Sequence, residues 1–90
     1  MVIPYTEVLL SETEIIRTFS ESIDEDELKW HWDNEDRIIE ALHETNWLFQ
    51  FDNELPIRLD RPIEIKEGVW HRLIKGTDNL EIIVEKIKDI

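Results

Sequence analysis

The chain has 90 residues, a net charge of −12 and no cysteine, so it is predicted to form a single domain without disulfide bonds or thiolate metal ligands. Its 41% of apolar residues and four tryptophans indicate a packed core rather than disorder. No apolar run is long enough for a membrane span and no basic segment precedes a signal-type stretch. The sequence therefore predicts a soluble cytoplasmic protein that does not bind membranes.

The acidic charge is concentrated in the first half of the chain. Residues 1–45 contain 13 acidic and 3 basic residues, whereas residues 46–90 contain 9 acidic and 7 basic residues. Such a chain repels phosphate backbones, which argues against direct nucleic-acid binding. High solubility is the simplest explanation of the charge. The alternative hypothesis is an acidic interaction protein that blocks a basic surface on a partner.

The segment 1–27 is predicted to contain a strand, a helix and an acidic connection. The first strand-like run covers residues 5–10. Ser11 is followed three positions later by Glu14, as in a helix capping box. Apolar residues after Glu14 recur at helical spacing, so a short helix is expected over 12–20.

From residue 28 onward, short strand-like runs alternate with turn signals. The runs are 28–33, 37–42, 47–51, 57–59, 63–65, 69–74 and 80–87. About seven short strands at such close intervals indicate an all-β sandwich or barrel. Region 28–90 is therefore predicted to fold as a small β-barrel, with an immunoglobulin-like sandwich as the alternative.

Two short segments carry polar residues in a recognisable pattern. The segment His31-Trp32-Asp33 places both polar side chains on one face of a strand. The segment Lys66–His71 is a tight turn that contains Gly68, followed by a strand that carries a histidine. Over residues 28–85 this spacing resembles the two sequence motifs of the cupin family, which are small jelly-roll β-barrels. The chain is also similar to short single-domain cupin-like proteins of uncharacterised function, including proteins of phages.

The resemblance implies a jelly-roll-like barrel with a lumen site for a divalent metal, a small polar ligand, or both. It places His31, Asp33 and His71 at the metal-ligand positions. Two imidazoles and one carboxylate hold non-haem Fe(II) and leave positions open for a substrate, and Mn, Zn or Ni accept the same ligands. Whether the protein is an enzyme stays open; if it is, we expect a metal-assisted oxygenation or isomerisation. The alternative is a metal-free lumen in which the histidines hydrogen-bond Asp33 or backbone groups.

Arg37 stands where the family motif has a glutamate ligand. An arginine is always charged and cannot bind a metal. If it faces the lumen, it repels a divalent cation, bonds Asp33 in place of a metal, or binds an anionic ligand, with Gln50 as a second ligand-binding residue. If the register is shifted, Glu35 or Glu40 supplies a metal ligand instead. The remaining alternative is a surface salt bridge between Arg37 and Asp36 or Glu40.

Three tryptophans are predicted to face away from the lumen. Trp30, Trp32 and Trp70 alternate with the candidate ligands along their strands, and side chains of opposite parity point to opposite faces. The predicted helix covers part of this face and a second subunit the rest, so we expect a homodimer with Trp32 or Trp70 near the contact. His43 lies in a predicted turn and is expected to be solvated.

Overall fold

The computed structural model describes residues 3–87, which form eight short β-strands. The strands are β1 (Thr6–Leu9), β2 (Glu14–Phe19), β3 (Asp36–Ala41), β4 (Leu48–Phe51), β5 (Ile57–Arg58), β6 (Ile63–Ile65), β7 (His71–Ile74) and β8 (Leu80–Ile87). They form a five-stranded sheet in the order β1-β2-β8-β3-β6 and a three-stranded sheet in the order β5-β4-β7. One 3-10 turn covers Glu25–Glu27. Within the described part of the chain, no helix is long and apolar enough to cross a membrane.

The hydrophobic core lies between the two sheets. Along β8, which pairs with β2 and β3, the side chains of Leu80, Ile82 and Val84 are buried and alternate with more exposed residues. Trp47, which immediately precedes β4 of the smaller sheet, is fully buried, and its indole N–H donates a hydrogen bond to the carbonyl of Asp78. The period-two alternation that predicted these strands therefore also determines which side chains form the core.

The helix predicted over 12–20 is wrong, because this segment forms β2. Its β-branched residues fit a pleated strand better than a helix, and Ile15 and Phe19 are buried on the inner face. The Ser11–Glu14 pattern closes the β1–β2 turn instead: Ser11 Oγ accepts a hydrogen bond of 3.1 Å from the backbone N–H of Glu14. The bond expected to cap a helix therefore stabilises a hairpin.

The two sheets are not closed into the predicted barrel. The run predicted as a strand over 28–33 contributes only one bridge, in which the backbones of His31 and His71 exchange hydrogen bonds of 3.0 and 2.9 Å. Because this pairing is confined to one residue on each side, it does not join the sheets continuously. The other six predicted runs correspond to β3–β8, and β6 and β8 have the predicted bounds.

Candidate metal centre

A cavity of about 390 Å³ lies between the two sheets. Core side chains from both sheets, such as Phe49, form its apolar walls, while much of its polar lining comes from segment 27–33. From Lys29 to Asp33 the odd-numbered residues line the cavity, and the exposed Trp30 and Trp32 alternate with them. The charged and histidine residues of the lining are Arg17, Glu27, Lys29, His31, Asp33, Arg37 and His71.

Three of these side chains converge at one end of the cavity. His31, Asp33 and His71 each offer a potential ligand atom, and these atoms lie within 4.8 Å of one another. His71 is buried, Asp33 has a side chain only 10% exposed, and His31 is exposed. The turn before β7 fixes Asp33, because the N–H of Gly68 donates a 2.9 Å hydrogen bond to the carbonyl of Asp33. Gly68 has a φ of 78°, which glycine adopts without strain.

Both histidine rings are oriented by their own backbone neighbours. Nδ1 of His71 lies 2.8 Å from the carbonyl oxygen of Val69, and Nδ1 of His31 lies 3.0 Å from that of Lys29. A carbonyl only accepts, so Nδ1 carries the proton and Nε2 keeps a free lone pair in the neutral ring. Burial lowers the pKa of His71 below its ordinary value, and the charges of His31 and Arg37 act in the same direction. A neutral His71 presents a metal-binding nitrogen to the cavity.

One oxygen of Asp33 has no partner. Oδ2 of Asp33 is buried and forms no hydrogen bond among the described residues, and it lies 3.4 Å from Nε2 of His71. Both atoms are acceptors when the imidazole is neutral, so their direct contact is unfavourable. Two ligand atoms on a tetrahedral ion, each about 2.1 Å from it, are themselves about 3.4 Å apart. The orphaned oxygen and the facing nitrogen are therefore spaced as ligands of a metal ion.

The other oxygen of Asp33 is bound by Arg37. Nη1 of Arg37 lies 3.2 Å from Oδ1 of Asp33, and Nη2 lies 2.7 Å from Oε2 of Glu35. Of the alternatives for Arg37, the structure shows the inward-facing arrangement with a bond to Asp33. Because two carboxylates share one guanidinium, its repulsion of a cation at Oδ2 is reduced. Glu35 forms an ion pair with Arg37, and Glu40 is exposed and does not line this cavity, so neither is positioned as a metal ligand.

Solved cupin structures share this architecture. A cupin domain from Bordetella pertussis Tohama I superposes with a TM-score of 0.66 at 17% sequence identity, over 94% of this chain and 92% of that one. This chain has the cupin fold. No family model matches its sequence, and no curated protein is similar to it in sequence.

Two further neighbours of this cupin fold belong to larger proteins. A structure of FeII HppE superposes with a TM-score of 0.64 at 13% identity, over 92% of this chain and 48% of that one. A structure of the DMSP lyases RdDddP and RnDddQII gives a TM-score of 0.67 at 14% identity, over 83% of this chain and 37% of that one. The chain thus spans less than half of these two neighbours, and at such identities the likeness concerns the fold alone.

Four of the five predicted site residues line the cavity, and Gln50 does not. The side chain of Gln50 accepts a 2.9 Å hydrogen bond from Nε of Arg72 and donates one of the same length to the carbonyl of Glu54. His43 is exposed, as expected for a loop residue, and its ring bonds the backbone of Glu44. Neither Gln50 nor His43 adds to the candidate metal centre.

Two cations of the cavity were missed by sequence reasoning. Arg17 lies on β2 between the buried Ile15 and Phe19, so it has inner-face parity, and the helix interpretation concealed this alternation. Lys29 shares the parity of His31, and that signal was present in the sequence. The ring of His71 also stacks on Phe49, a contact between β7 and β4 that only the fold reveals.

The tryptophans predicted to face outward are exposed. Trp30, Trp32 and Trp70 are 37%, 51% and 47% exposed, respectively. The guanidinium of Arg72 lies 4.5 Å from the ring centroid of Trp30, a cation–π contact that covers one ring in part. The helix expected to cover this face is absent from the described residues, so the predicted homodimer stays a prediction.

Proposed function

We propose that this cupin-fold protein binds a divalent metal ion through His31, Asp33 and His71 and presents it to a small molecule in the cavity. The observation that carries the proposal is the buried, unpartnered Oδ2 of Asp33 facing Nε2 of His71. A cation bound between Oδ2 of Asp33 and Nε2 of His71 removes the repulsion between these two acceptors. It is bound through the Nε2 lone pairs of the two histidines, whose Nδ1 atoms face backbone carbonyls. Buried polar atoms without partners are rare in folded proteins, so this one indicates a ligand site.

Three protein ligands leave positions open on the metal. Iron, manganese, zinc and nickel all accept two imidazoles and one carboxylate. The neighbour FeII HppE is described with iron, which supports metal binding by a protein of this fold. A metal bound here supplies Lewis acidity and, if it is iron, oxygen chemistry. The chain's own contribution is to orient the ligands: Arg37 fixes Oδ1 of Asp33, and backbone carbonyls fix both imidazoles.

A second candidate function is a metal-free lumen that binds an anionic ligand through Arg37. The bond between Arg37 and Asp33 favours it, because the guanidinium already compensates one carboxylate oxygen. In this alternative the ligand's acid group competes with Asp33 and Glu35 for Arg37. The unpartnered Oδ2 argues against it, since Arg37 leaves that atom unsatisfied.

Calorimetric metal titration separates the two candidates. The protein is purified without a histidine tag, stripped with EDTA and titrated with Mn(II), Zn(II), Ni(II) and, without oxygen, Fe(II). The proposal expects one metal ion per chain in the wild type and in His43→Ala, and loss of most binding in His31→Ala and in His71→Ala. Equal binding by all four proteins, or no binding by the wild type, overturns it. Circular dichroism checks that each variant is folded.

A further inference from the structure

The few basic residues in the acidic half of the chain are gathered in one place. Residues 1–45 contain 13 acidic and 3 basic residues. Those three basic residues, Arg17, Lys29 and Arg37, all line the cavity. The acidic residues of the same lining are Glu27 and Asp33. Arg17 is paired with Glu7, and Arg37 is paired with Asp33 and Glu35, so these two charges are compensated, whereas a bound divalent metal adds positive charge at the cavity.

Arg17 occupies a position that the sheet otherwise reserves for apolar side chains. It lies opposite Ile82 on β8 and between Ile15 and Phe19 on β2. Its Nε donates a 2.6 Å hydrogen bond to Glu7, and its guanidinium lies 4.3 Å from the ring centroid of Tyr5. Placing a charge on the inner face is costly without a compensating group. Glu7 and Tyr5 hold the side chain in place beside the cavity.

Lys29 is the cation without a fixed partner. Lys29 is exposed and belongs to the cavity lining two residues before His31, and its carbonyl orients the His31 ring. Among the described residues it forms no salt bridge, in contrast to Arg17 with Glu7 and Arg37 with Asp33 and Glu35. The ammonium group of this exposed lining residue is thus available to an anion at the cavity.

The rest of the cavity is apolar. Its walls are made of side chains from both sheets, among them Phe19, Ile39, Phe49, Ile65 and Leu73. A volume of about 390 Å³ is at the small end of the range for small-molecule sites. The cavity therefore combines an apolar space with cations beside the metal ligands.

We infer that the cavity takes a small organic carboxylate with an apolar body, whose acid group is bound by Lys29 and Arg17 beside the metal centre. The inference rests on the proposed function, because it names the ligand class of the same site. A carboxylate satisfies the unpaired ammonium of Lys29, and its apolar body replaces water against the core side chains.

The test compares carboxylates with their neutral amides. Zn(II)-loaded protein is titrated with hexanoate, benzoate and 3-phenylpropionate and with the corresponding primary amides. We expect at least one carboxylate to bind about ten-fold more tightly than its amide. Lys29→Gln and Arg17→Gln should each remove most of this preference, whereas Arg17→Lys, which keeps the charge, should restore part of it. Arg61→Gln is the matched control, since Arg61 is exposed and outside this cavity.

The outcomes separate this inference from the proposed function. If Zn(II) binds but no carboxylate is preferred over its amide, the inference fails and the metal site stands. If the preference survives in both Lys29→Gln and Arg17→Gln, the metal alone recognises the acid group, and the assignment to these cations is overturned. If the wild type binds no Zn(II) and yet metal-free protein prefers carboxylates through Lys29, the proposed function fails and the ligand class stands.

Discussion

Replacing Asp33 with asparagine is predicted to stabilise the metal-free protein while removing metal binding. In the wild type, Oδ2 of Asp33 is buried without a hydrogen-bond partner, 3.4 Å from Nε2 of His71. Asparagine has nearly the same shape, and its amide N–H can donate a hydrogen bond to that nitrogen. Its carbonyl oxygen can still accept from Arg37, which lies 3.2 Å from Oδ1 in the wild type.

The size of the effect follows from two opposing contributions. Leaving a buried acceptor unsatisfied costs about 1–3 kcal/mol, and the new hydrogen bond removes this cost. The lost charge weakens the pair with Arg37 by about 1 kcal/mol or less, because Arg37 keeps its 2.7 Å contact with Glu35. The free energy of unfolding should therefore rise by about 1 kcal/mol. At a slope of about 1 kcal/mol per molar urea, the unfolding midpoint rises by about 1 M.

Urea unfolding with and without metal measures both effects in one assay. Tryptophan fluorescence follows unfolding of wild type and Asp33→Asn, first in EDTA and then with saturating Zn(II). A ligand that binds only the folded state stabilises it. The variant should therefore be the more stable protein in EDTA, and the wild type should be the more stable protein in Zn(II).

Asp36→Asn is the control for a change from carboxylate to amide. Oδ1 of Asp36 already accepts a 2.8 Å hydrogen bond from the N–H of Glu67, and its other oxygen lies 3.6 Å from Nζ of Lys66. Asp36→Asn should not become more stable in EDTA and should keep the stabilisation by metal. The reasoning is refuted if Asp33→Asn is less stable than the wild type in EDTA, or if Zn(II) stabilises both equally.

Four further outcomes are expected. Arg37→Glu adds a carboxylate as a fourth protein ligand at the cavity and should tighten Mn(II) binding about ten-fold in calorimetry. No gain in a folded variant would mean that position 37 does not reach the metal. Gly68→Ala strains a backbone with a φ of 78° and should lower the free energy of unfolding by about 1 kcal/mol or more, with weaker metal binding because the turn positions Asp33; unchanged binding would contradict that coupling. Trp47→Ala empties a fully buried site and should destabilise the fold by about 3–5 kcal/mol in urea unfolding, and a loss below about 1 kcal/mol would contradict its place in the core. Light scattering should detect a dimer, with an average mass that decreases in Trp32→Ser and increases with salt, because salt screens the repulsion between the acidic chains. A monomer mass at both low and high salt would refute the homodimer.

The strands could be predicted wherever the spacing of apolar residues fitted a strand but not a helix. Residues 80–87 form β8 at the predicted bounds, and burial alternates over residues 80–84. The segment 12–20 was ambiguous because Ile15 and Phe19 are four residues apart, a spacing that fits both a helix and one face of a strand. Its β-branched content and its pairing with β8 decide for the strand, and that pairing depends on residues far away in the chain. The incomplete closure of the barrel could not be predicted for the same reason, because it depends on pairing between segments that are far apart in the chain.

For the site, strand parity predicted that His31 and Asp33 share a face, and the resemblance to the cupin motifs predicted that His71 joins them. His31 and His71 face each other because their backbones form one bridge, and both lie at the motif positions. The same parity argument contradicts Gln50, since its neighbour Phe49 is buried and faces the core. The partners of Arg37 could not be chosen from the sequence, because Asp33, Asp36 and Glu40 were all within reach of a long side chain, and Glu35, which the structure adds as a partner, was considered only as a metal ligand.

Anomalous X-ray diffraction from crystals soaked in Mn(II) or Zn(II) tests the metal centre most directly. The account predicts one strong anomalous peak in the cavity, about 2.0–2.2 Å from Nε2 of His31, Nε2 of His71 and Oδ2 of Asp33. A crystal that shows no peak there, or in which the metal binds only acidic residues elsewhere on the surface, would contradict it.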